Sequence, residues 1–433
     1  MLSTKENKKG DYFIMKKKRK NLLTKVLAVF LVLTSIVAIP MVTYARNGMA
    51  FSVGTNYGDG VNTSSDATTA CDMYGLAGYS SYYSTQPTYQ IMRGAFSNGT
   101  KRMQSDVLFF SGHSNYDHMA FNYKDKGGDY KTGVYYANNL DSTTGYKYVG
   151  INEHMTYVKL VTYAGCNTAS NDYNNITYAS SSRGAKCAVG WTTKVGAGSH
   201  TNWLKRYNDK LASGSTVKAA VDYANSFTYL DSKVKNAKIF GNSSLVIKTS
   251  KSASKSVSLM KQEELKYIPI SNDINVLSNG EVDTSIILSV LNQNNIKLDK
   301  ENLKIETHKT TEENDYTIDF IEMYNGIETN SSYVAFVEDG ILSSIVDNHY
   351  DNFKLNSEIR RSNYSMLSES TVDNLLTKAE NKVLDIGASE IIDQDTKYYY
   401  DCENNTLKLI VFTEYYFDNT TAMGVSEYEQ VVF

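Results

Sequence analysis

The chain has 433 residues, 41% of them apolar, which is enough for two or three domains with ordinary hydrophobic cores. Its formal net charge of -3 excludes the strong positive field that nucleic-acid binding requires, so nucleic acid is not expected as a partner. The four cysteines are too few and too widely spaced for a disulfide scaffold, and no C-x-x-C pair suggests structural zinc. Cys71 and Cys187 lie in apolar surroundings typical of buried thiols, and a bridge between them stays open.

The N-terminus carries the pattern of an export signal. The cationic run 16–20 precedes an apolar stretch, 22–42, and Thr43-Tyr44-Ala45 fits a small-x-small cleavage site. We therefore predict a signal peptide over residues 1–45 and a secreted mature chain, with Gram-positive export favoured by the long signal. No later stretch approaches the ~20 apolar residues of a membrane span, so no membrane partner is expected after cleavage. An uncleaved N-terminal anchor is the alternative.

Residues 46–249 alternate strand-like and helix-like patterns. Such alternation predicts βαβ units, and therefore an α/β fold with a largely parallel sheet and flanking helices. The predicted strands are 50–53, 79–83, the runs that end at His113 and Cys166, 184–190 and 245–247. The predicted helices cover 67–74, 88–96, 203–211 and 217–224, with Gly214 ending one helix and Thr216 capping the next.

Two of these apolar runs deliver a reactive side chain just past their ends. The run 105–113 ends at His113, and the run 158–166 ends at Cys166, which follows His113 by 53 residues. Because α/β sheets carry their chemistry at the carboxyl ends of parallel strands, we expect the two side chains to meet. An imidazole raises the thiolate fraction of a nearby cysteine and protonates a leaving amine, which is the chemistry of a cysteine hydrolase.

Small residues beside the cysteine fit this interpretation. Ala164 and Gly165 allow a substrate to approach the backbone, and the Cys166 N–H is suited to an oxyanion hole. The structural alternative is a buried cysteine and a histidine that caps a strand end.

The sequence changes character after residue 249. Residues 250–262 are small, polar and basic, which is typical of a linker, and residues 263–433 are acidic without a second candidate nucleophile and base. Asp339-Gly340 between apolar runs predicts a hairpin, as does the Asn325-Gly326 turn. A second round of helix and strands begins at 370–384, so we predict a C-terminal α+β domain with a weak internal repeat.

The first half of the chain resembles a known family. Residues 50–248 resemble the caspase-like cysteine peptidases of clan CD, the group of gingipains, clostripain, separase and CHAT domains. The resemblance is carried by Ser111-Gly112-His113-Ser114, by Ala164-Gly165-Cys166-Asn167-Thr168-Ala169, by the strand 184–191 and by the helix pair after Trp203. It implies a caspase-like fold and a secreted endopeptidase that cleaves protein or peptide substrates through an acyl-enzyme, without a metal or another cofactor.

The resemblance also implies roles for individual residues. Cys166 would be the nucleophile and His113 the general acid/base. Ser114, where the family usually has glycine, and Gly165 would supply the backbone around the oxyanion. Trp191 and Thr192 would line the substrate cleft.

The C-terminal half resembles the PepSY-type domains attached to secreted peptidases. The resemblance is carried by the Asn325-Gly326-Ile327 turn, the Asp339-Gly340-Ile341 hairpin and the two rounds of helix and strands. It implies that residues 263–433 form a regulatory domain, an intramolecular inhibitor that cleavage near the linker removes.

Two other functions compete with the peptidase. Residues 113–118 nearly match H-x-H-x-D-H, the motif of zinc-dependent metallo-β-lactamase-like hydrolases, with His154, Cys166 and His200 as further ligands. Asn115 replaces a required ligand there, and imidazole is the better zinc donor. The third hypothesis is a catalytically inactive caspase-like binding protein, for which Ser114 and the large C-terminal region leave room.

Overall fold

The computed structural model describes residues 48–57, 61–152, 155–250, 264–324, 326–350, 367–385 and 387–432. The predicted signal peptide 1–45 lies outside the described residues, as does almost all of the predicted linker 250–262. The helices that the structure describes include none with the length and apolarity that a bilayer crossing requires.

Helices and strands cover most of the described chain. The helices are α1 Ser64–Leu76, α2 Tyr89–Arg93, α3 Ile176–Ser182, α4 Ala197–Ser213, α5 Val217–Asn225, α6 Thr284–Gln293 and α7 Glu369–Leu384. The strands before residue 250 are β1 Met49–Val53, β2 Ser80–Ser84, β3 Val107–Ser111, β4 His113–Asn115, β5 His118–Asp125, β6 Gly128–Tyr135, β7 Leu140–Asp141, β8 Lys147–Gly150, β9 Leu160–Ala164, β10 Cys187–Trp191 and β11 Ala237–Gly241. The later strands are β12 Tyr267–Ile268, β13 Ile274–Asn275, β14 Leu277–Ser278, β15 Glu281–Val282, β16 Leu303–Lys309, β17 Tyr316–Tyr324, β18 Ile327–Glu338, β19 Ile341–Asn348, β20 Ala388–Asp401, β21 Thr406–Phe417 and β22 Met423–Val431.

A six-stranded sheet in the order β11-β10-β9-β3-β1-β2 forms the centre of the first half. Every neighbouring pair is parallel except β10 and β11. The strands β1, β3, β9 and β10 are buried along their whole length, as expected for strands covered on both faces. One face packs on α1, α4 and α5, whose buried side chains include Trp203 and Tyr207. The predicted α/β fold with a largely parallel sheet and flanking helices is therefore confirmed.

The closing strand of this sheet differs from the prediction. Residues 245–247 contribute an isolated bridge between Thr216 and Val246, whereas β11 supplies the antiparallel edge strand. Ile239 and Phe240 of β11 are buried, while Val246 is 45% exposed. Residues 245–247 gave the stronger apolar signal in the sequence. The edge strand is nevertheless β11, because its apolar side chains are buried there.

The second sheet joins the two halves of the chain. Its strand order is β12-β19-β18-β20-β21-β22-β4-β5-β6-β8-β7, and the connection is made where Met423 of β22 pairs with Ser114 of β4. The described residues from 48 onward belong to one compact unit. The two sequence regions on either side of the predicted linker thus share one sheet.

The C-terminal region repeats one pattern. Helix α6 is followed by the antiparallel strands β16 to β19, and α7 is followed by β20 to β22. Between β18 and β19, Asp339 and Gly340 have φ values of 50° and 80°, as expected for the predicted hairpin turn. The two predicted rounds of helix and strands are both present.

Candidate active site

The ends of β3 and β9 bring the two predicted reactive residues to one edge of the sheet. These neighbouring parallel strands pair Ser111 with Ala164, so Gly112 and Gly165 follow together and His113 and Cys166 come next. The Gly112 N–H donates to the Ala164 carbonyl at 3.1 Å, which extends the ladder past the last paired residues. The shared register therefore places His113 and Cys166 at the same carboxyl edge.

Ser114 and Gly165 hold these two strand ends together. The Ser114 hydroxyl donates to the Cys166 carbonyl at 2.8 Å. A Cβ at Gly165 would lie 2.2 Å from Ser114 Oγ and 2.5 Å from the Gly112 carbonyl oxygen, so only glycine fits. Both predicted residues lie beside the cysteine, and in this structure the Ser114 side chain is engaged there.

The Cys166 thiol is enclosed. The residue is 4% exposed, and its Sγ accepts the Val195 N–H at 3.5 Å. Burial raises the pKa of Cys166 to about 12, so the thiol is protonated at neutral pH. A protonated, enclosed thiol is not the nucleophile that catalysis requires.

His113 lies in an aromatic environment supplied largely by the C-terminal region. Its ring centroid is 4.2 Å from that of Tyr57, 4.5 Å from that of Phe417 and 5.5 Å from that of Tyr415. The His113 backbone N–H donates to the Tyr57 hydroxyl at 3.0 Å. Since His113 is only 2% exposed, β21 and β22 separate it from solvent.

A cavity of about 290 Å³ contains both reactive residues in its lining. His113 and Cys166 line it from one side and residues 423–425 of β22 from another. Asp66 of α1 and His200 of α4 are two further titratable residues in the lining. The cavity therefore joins the predicted dyad to two buried titratable groups and to the C-terminal strand.

Asp66 was not identified from the sequence. The residue is 5% exposed, and its carboxylate accepts hydroxyl hydrogen bonds from Ser111 at 2.7 Å and from Thr201 at 2.9 Å. Burial raises the pKa of Asp66 to about 6, although the two hydroxyl bonds act in the opposite direction. An acidic residue directly before the helical pattern of 67–74 was the available signal. That signal does not distinguish a charge that stabilises the helix N-terminus from a site residue.

His200 contributes a second polar group to the cavity. Burial lowers the pKa of His200 to about 3, so its imidazole is neutral at physiological pH. Its buried Nε2 has no hydrogen-bond partner among the described residues. Buried polar atoms are nearly always paired, so an unpaired ring nitrogen in a cavity lining is available to a ligand.

The two predicted cleft residues lie elsewhere. Trp191 is fully buried, donates from Nε1 to the Val234 carbonyl at 2.7 Å and packs edge-on against His200 at 4.3 Å. The Thr192 backbone N–H donates to the Asn236 carbonyl at 3.1 Å. Neither residue lines the cavity, although Trp191 supports His200, which does.

The zinc alternative receives no assembled ligand set in the part of the chain that the structure describes. The two groups of close carboxylates and imidazoles there are Glu306, His308 and Asp319, and Glu313, Asp315 and Asp339. Neither contains Cys166 or a histidine of the 113–118 motif. His118 instead contacts Asp117 at 2.6 Å, and His154 lies outside the described residues. Cys71 and Cys187 are both buried, and no disulfide joins them.

Comparison with known proteins gives similarity only to solved structures. No protein-family model and no curated protein matches the chain. The chain is similar to the crystal structure of the Arg-specific cysteine proteinase gingipain R, with a TM-score of 0.31 and 11% identity over 88% of this chain and 66% of that chain. It is also similar to a complex of the pro- and mature domains of RgpB from Porphyromonas gingivalis, with a TM-score of 0.31 and 10% identity over 88% of this chain and 68% of that one. The chain thus spans just under two thirds of the gingipain R chain.

Proposed function

We propose that the protein is a secreted caspase-like cysteine endopeptidase in which Cys166 is the nucleophile and His113 the general acid/base. The observation that carries this proposal is the paired register of β3 and β9, which brings a cysteine and a histidine to one cavity of about 290 Å³. Export rests on the signal pattern of residues 1–45.

The reaction is an acyl transfer in two steps. His113 takes the thiol proton as Cys166 Sγ bonds to the substrate carbonyl carbon, and it passes this proton to the leaving amine as the peptide C–N bond breaks. A water molecule then gives a proton to His113 and bonds to the thioester carbon. The C–S bond breaks, the acid is released, and His113 returns the proton to the Cys166 sulfur. Backbone N–H groups next to Gly165 and Ser114 are suited to hold the oxyanion in both steps.

The C-terminal region, residues 263–433, is proposed as an intramolecular inhibitor related to PepSY-type domains. Residues 423–425 of β22 line the cavity, and β22 pairs with β4 directly after His113. Strand addition to a sheet edge is a common way to occupy a peptide-binding groove. The buried thiol of Cys166 agrees with a latent enzyme.

The substrate class proposed for this site is a peptide with a basic residue at the cleavage position. The Asp66 carboxylate offers hydrogen-bond acceptors to the cavity that holds Cys166, and the neutral His200 imidazole has one acceptor nitrogen and one N–H. A guanidinium or ammonium group would compensate the buried Asp66 carboxylate, which is otherwise unfavourable as an anion.

Cleavage of a mixed-sequence peptide library by residues 46–433 tests the proposal. The protein is assayed with its native sequence and with Gly424→Val, which is designed to displace β22, and Cys166→Ala is the control in both backgrounds. We expect cleavage after Arg or Lys in the Gly424→Val protein, loss of cleavage with Cys166→Ala, and no effect of a metal chelator. Chelator-sensitive cleavage would favour the zinc hydrolase. An accessible Cys166 without any cleavage would favour the inactive binding protein.

A further inference from the structure

The N-terminus of α4 is capped by a residue from the far end of the chain. The N-cap residue is Gly196, and no side chain of its own caps the helix. Glu427 of β22, which follows Ser199 by 228 residues, accepts the Ser199 N–H on Oε1 at 3.1 Å. The first N–H groups of a helix need external acceptors, so Glu427 stabilises α4 as well as contacting it.

Two glycines make room for the Glu427 carboxyl. A Cβ at Gly196 would lie 2.0 Å from Glu427 Oε1, and a Cβ at Gly198 would lie 3.0 Å from Oε2. Gly196 has a φ of -69°, so an alanine there would not strain the backbone. Gly196 is therefore needed because it leaves space for the Glu427 carboxyl, and not because the backbone has an unusual conformation.

The segment that receives Glu427 also contacts the thiol. The Val195 N–H donates to Cys166 Sγ at 3.5 Å, one residue before Gly196. Lys194, the next residue back, forms an ion pair with Glu414 of β21, and Glu414 pairs with Val425 of β22. Residues 194–199 therefore contact the C-terminal strands on one side and Cys166 on the other.

We propose that Glu427 is a latch that couples the seating of β22 to the buried state of the Cys166 thiol through residues 194–199. This inference rests on the proposed function in taking Cys166 as the nucleophile. While the Glu427 carboxyl accepts the Ser199 N–H, Val195 remains in contact with Cys166 Sγ and β22 covers the cavity. When the carboxyl leaves, the first turn of α4 loses an acceptor, β22 is released and Cys166 becomes accessible.

The rate of Cys166 alkylation by iodoacetamide, followed by peptide-resolved mass spectrometry, measures this opening directly. Residues 46–433 are compared with Glu427→Ala, Glu427→Gln and Gly196→Ala, and Gln430→Ala is the control at an exposed position of the same strand. Loss of one helix-capping acceptor predicts alkylation about two- to thirtyfold faster in Glu427→Ala and Gly196→Ala. Glu427→Gln retains an acceptor and should stay near the unmodified rate, as should Gln430→Ala.

Two results would overturn the latch. One is an unmodified alkylation rate in both Glu427→Ala and Gly196→Ala. The other is an equal acceleration in Glu427→Gln and Glu427→Ala, because then the hydrogen-bond acceptor would not matter. The methyl group added by Gly196→Ala would contact only the end of the flexible Glu427 side chain. This variant therefore tests the latch even if Glu427→Ala lowers the unfolding temperature of the protein.

Peptide cleavage separates this inference from the proposed function. Faster alkylation of Cys166 in the two loosened variants, without peptide cleavage by any protein, supports the latch and contradicts the peptidase. Cleavage by a protein whose alkylation rate does not respond to Glu427 or Gly196 supports the peptidase and contradicts the latch.

Discussion

Gly424 lies against the imidazole of His113 so closely that a Cβ at Gly424 would come within 2.5 Å of His113 Cε1 and 2.6 Å of Nδ1. The contact joins the last strand of the chain to the proposed general base. A strand with any other residue at this position could not pack in the same way, so the C-terminal region is complementary in shape to the sheet edge that carries His113 and Cys166.

Gly424→Val should displace β22 from the cavity. The added side chain meets His113 and Tyr415, both of which are enclosed, so the strand rather than the core is expected to move. We expect faster alkylation of Cys166 and a lower unfolding temperature, measured by mass spectrometry and circular dichroism. Gln430→Val, at an exposed position of the same strand, is the matched control. Alkylation at the unmodified rate in a folded Gly424→Val protein would contradict the occlusion.

Asp66→Asn should remove the preference for a basic residue. Leaving a buried cationic side chain without its carboxylate costs about 3–5 kcal/mol, so kcat/KM for an Arg or Lys peptide should fall by about 100-fold or more. Cleavage of a peptide with Met at that position should change little, and Cys166 alkylation should be unaffected. An equal loss on both peptides would mean that Asp66 supports the site without selecting the substrate.

The latch should respond to pH through Glu427. Burial raises the pKa of Glu427 to about 7, and the nearby charges of Asp231 and Glu429 act in the same direction. Lys194 and Lys233, which both contact Glu414, are cations on the facing segments. Further cationic residues line a cavity together with Glu427, among them Lys205, Arg206 and Lys408. The closed state holds this proton more tightly than the open state, so its stabilisation is complete below the ordinary carboxyl pKa and is lost as pH rises through about 7.

Cys166 alkylation, normalised to a free thiol at each pH, should therefore increase between about pH 5 and about pH 8. Glu427→Gln should flatten this rise because it has no proton to lose. A rise of unchanged size in Glu427→Gln would assign the pH response to another group, of which Asp66, with a pKa near 6, is the first to examine.

A buried ion pair anchors the C-terminal region to the first half. Lys235, with its side chain 3% exposed, pairs with Asp319, with its side chain 2% exposed, and His308 contacts the same carboxylate at 3.1 Å. Lys235→Met should lower the free energy of unfolding by about 3–5 kcal/mol because the buried Asp319 carboxylate loses its lysine partner and keeps only the contact with His308. Urea unfolding measures this change. The double variant Lys235→Met/Asp319→Leu should recover part of the loss, and equal losses in the single and double variants would contradict the pairing.

Local sequence patterns predicted much of the first half of the chain. The apolar runs before His113 and Cys166 are β3 and β9, because strands covered on both faces require continuous apolar sequence. Gly214 ends α4 with a φ of 102°, and the Thr216 hydroxyl accepts the Ala219 N–H at the start of α5. These signals depend on residues within a few positions of each other, so they can be read along the chain.

Side-chain direction was harder to predict than strand position. The family resemblance implied that Trp191, at the end of the strand 184–191, lines the substrate cleft. In the structure it shares a face with Cys187 and Val189, since alternate residues of β10 point to the same side, and that side is the core under α4. The position of β10 was predicted correctly. Which of its two faces is buried depends on the helices that cover the sheet.

The sequence by itself determined the α/β character, the two strand ends and the histidine and cysteine that follow them. Only the tertiary structure decided that Asp66, His200 and Gly424 line the same cavity and that Glu427 contacts the first turn of α4. The physical reason is distance along the chain. Hydrophobic periodicity and helix caps act between near neighbours, whereas the pairing of β22 with β4 depends on register and side-chain fit between residues about 300 positions apart.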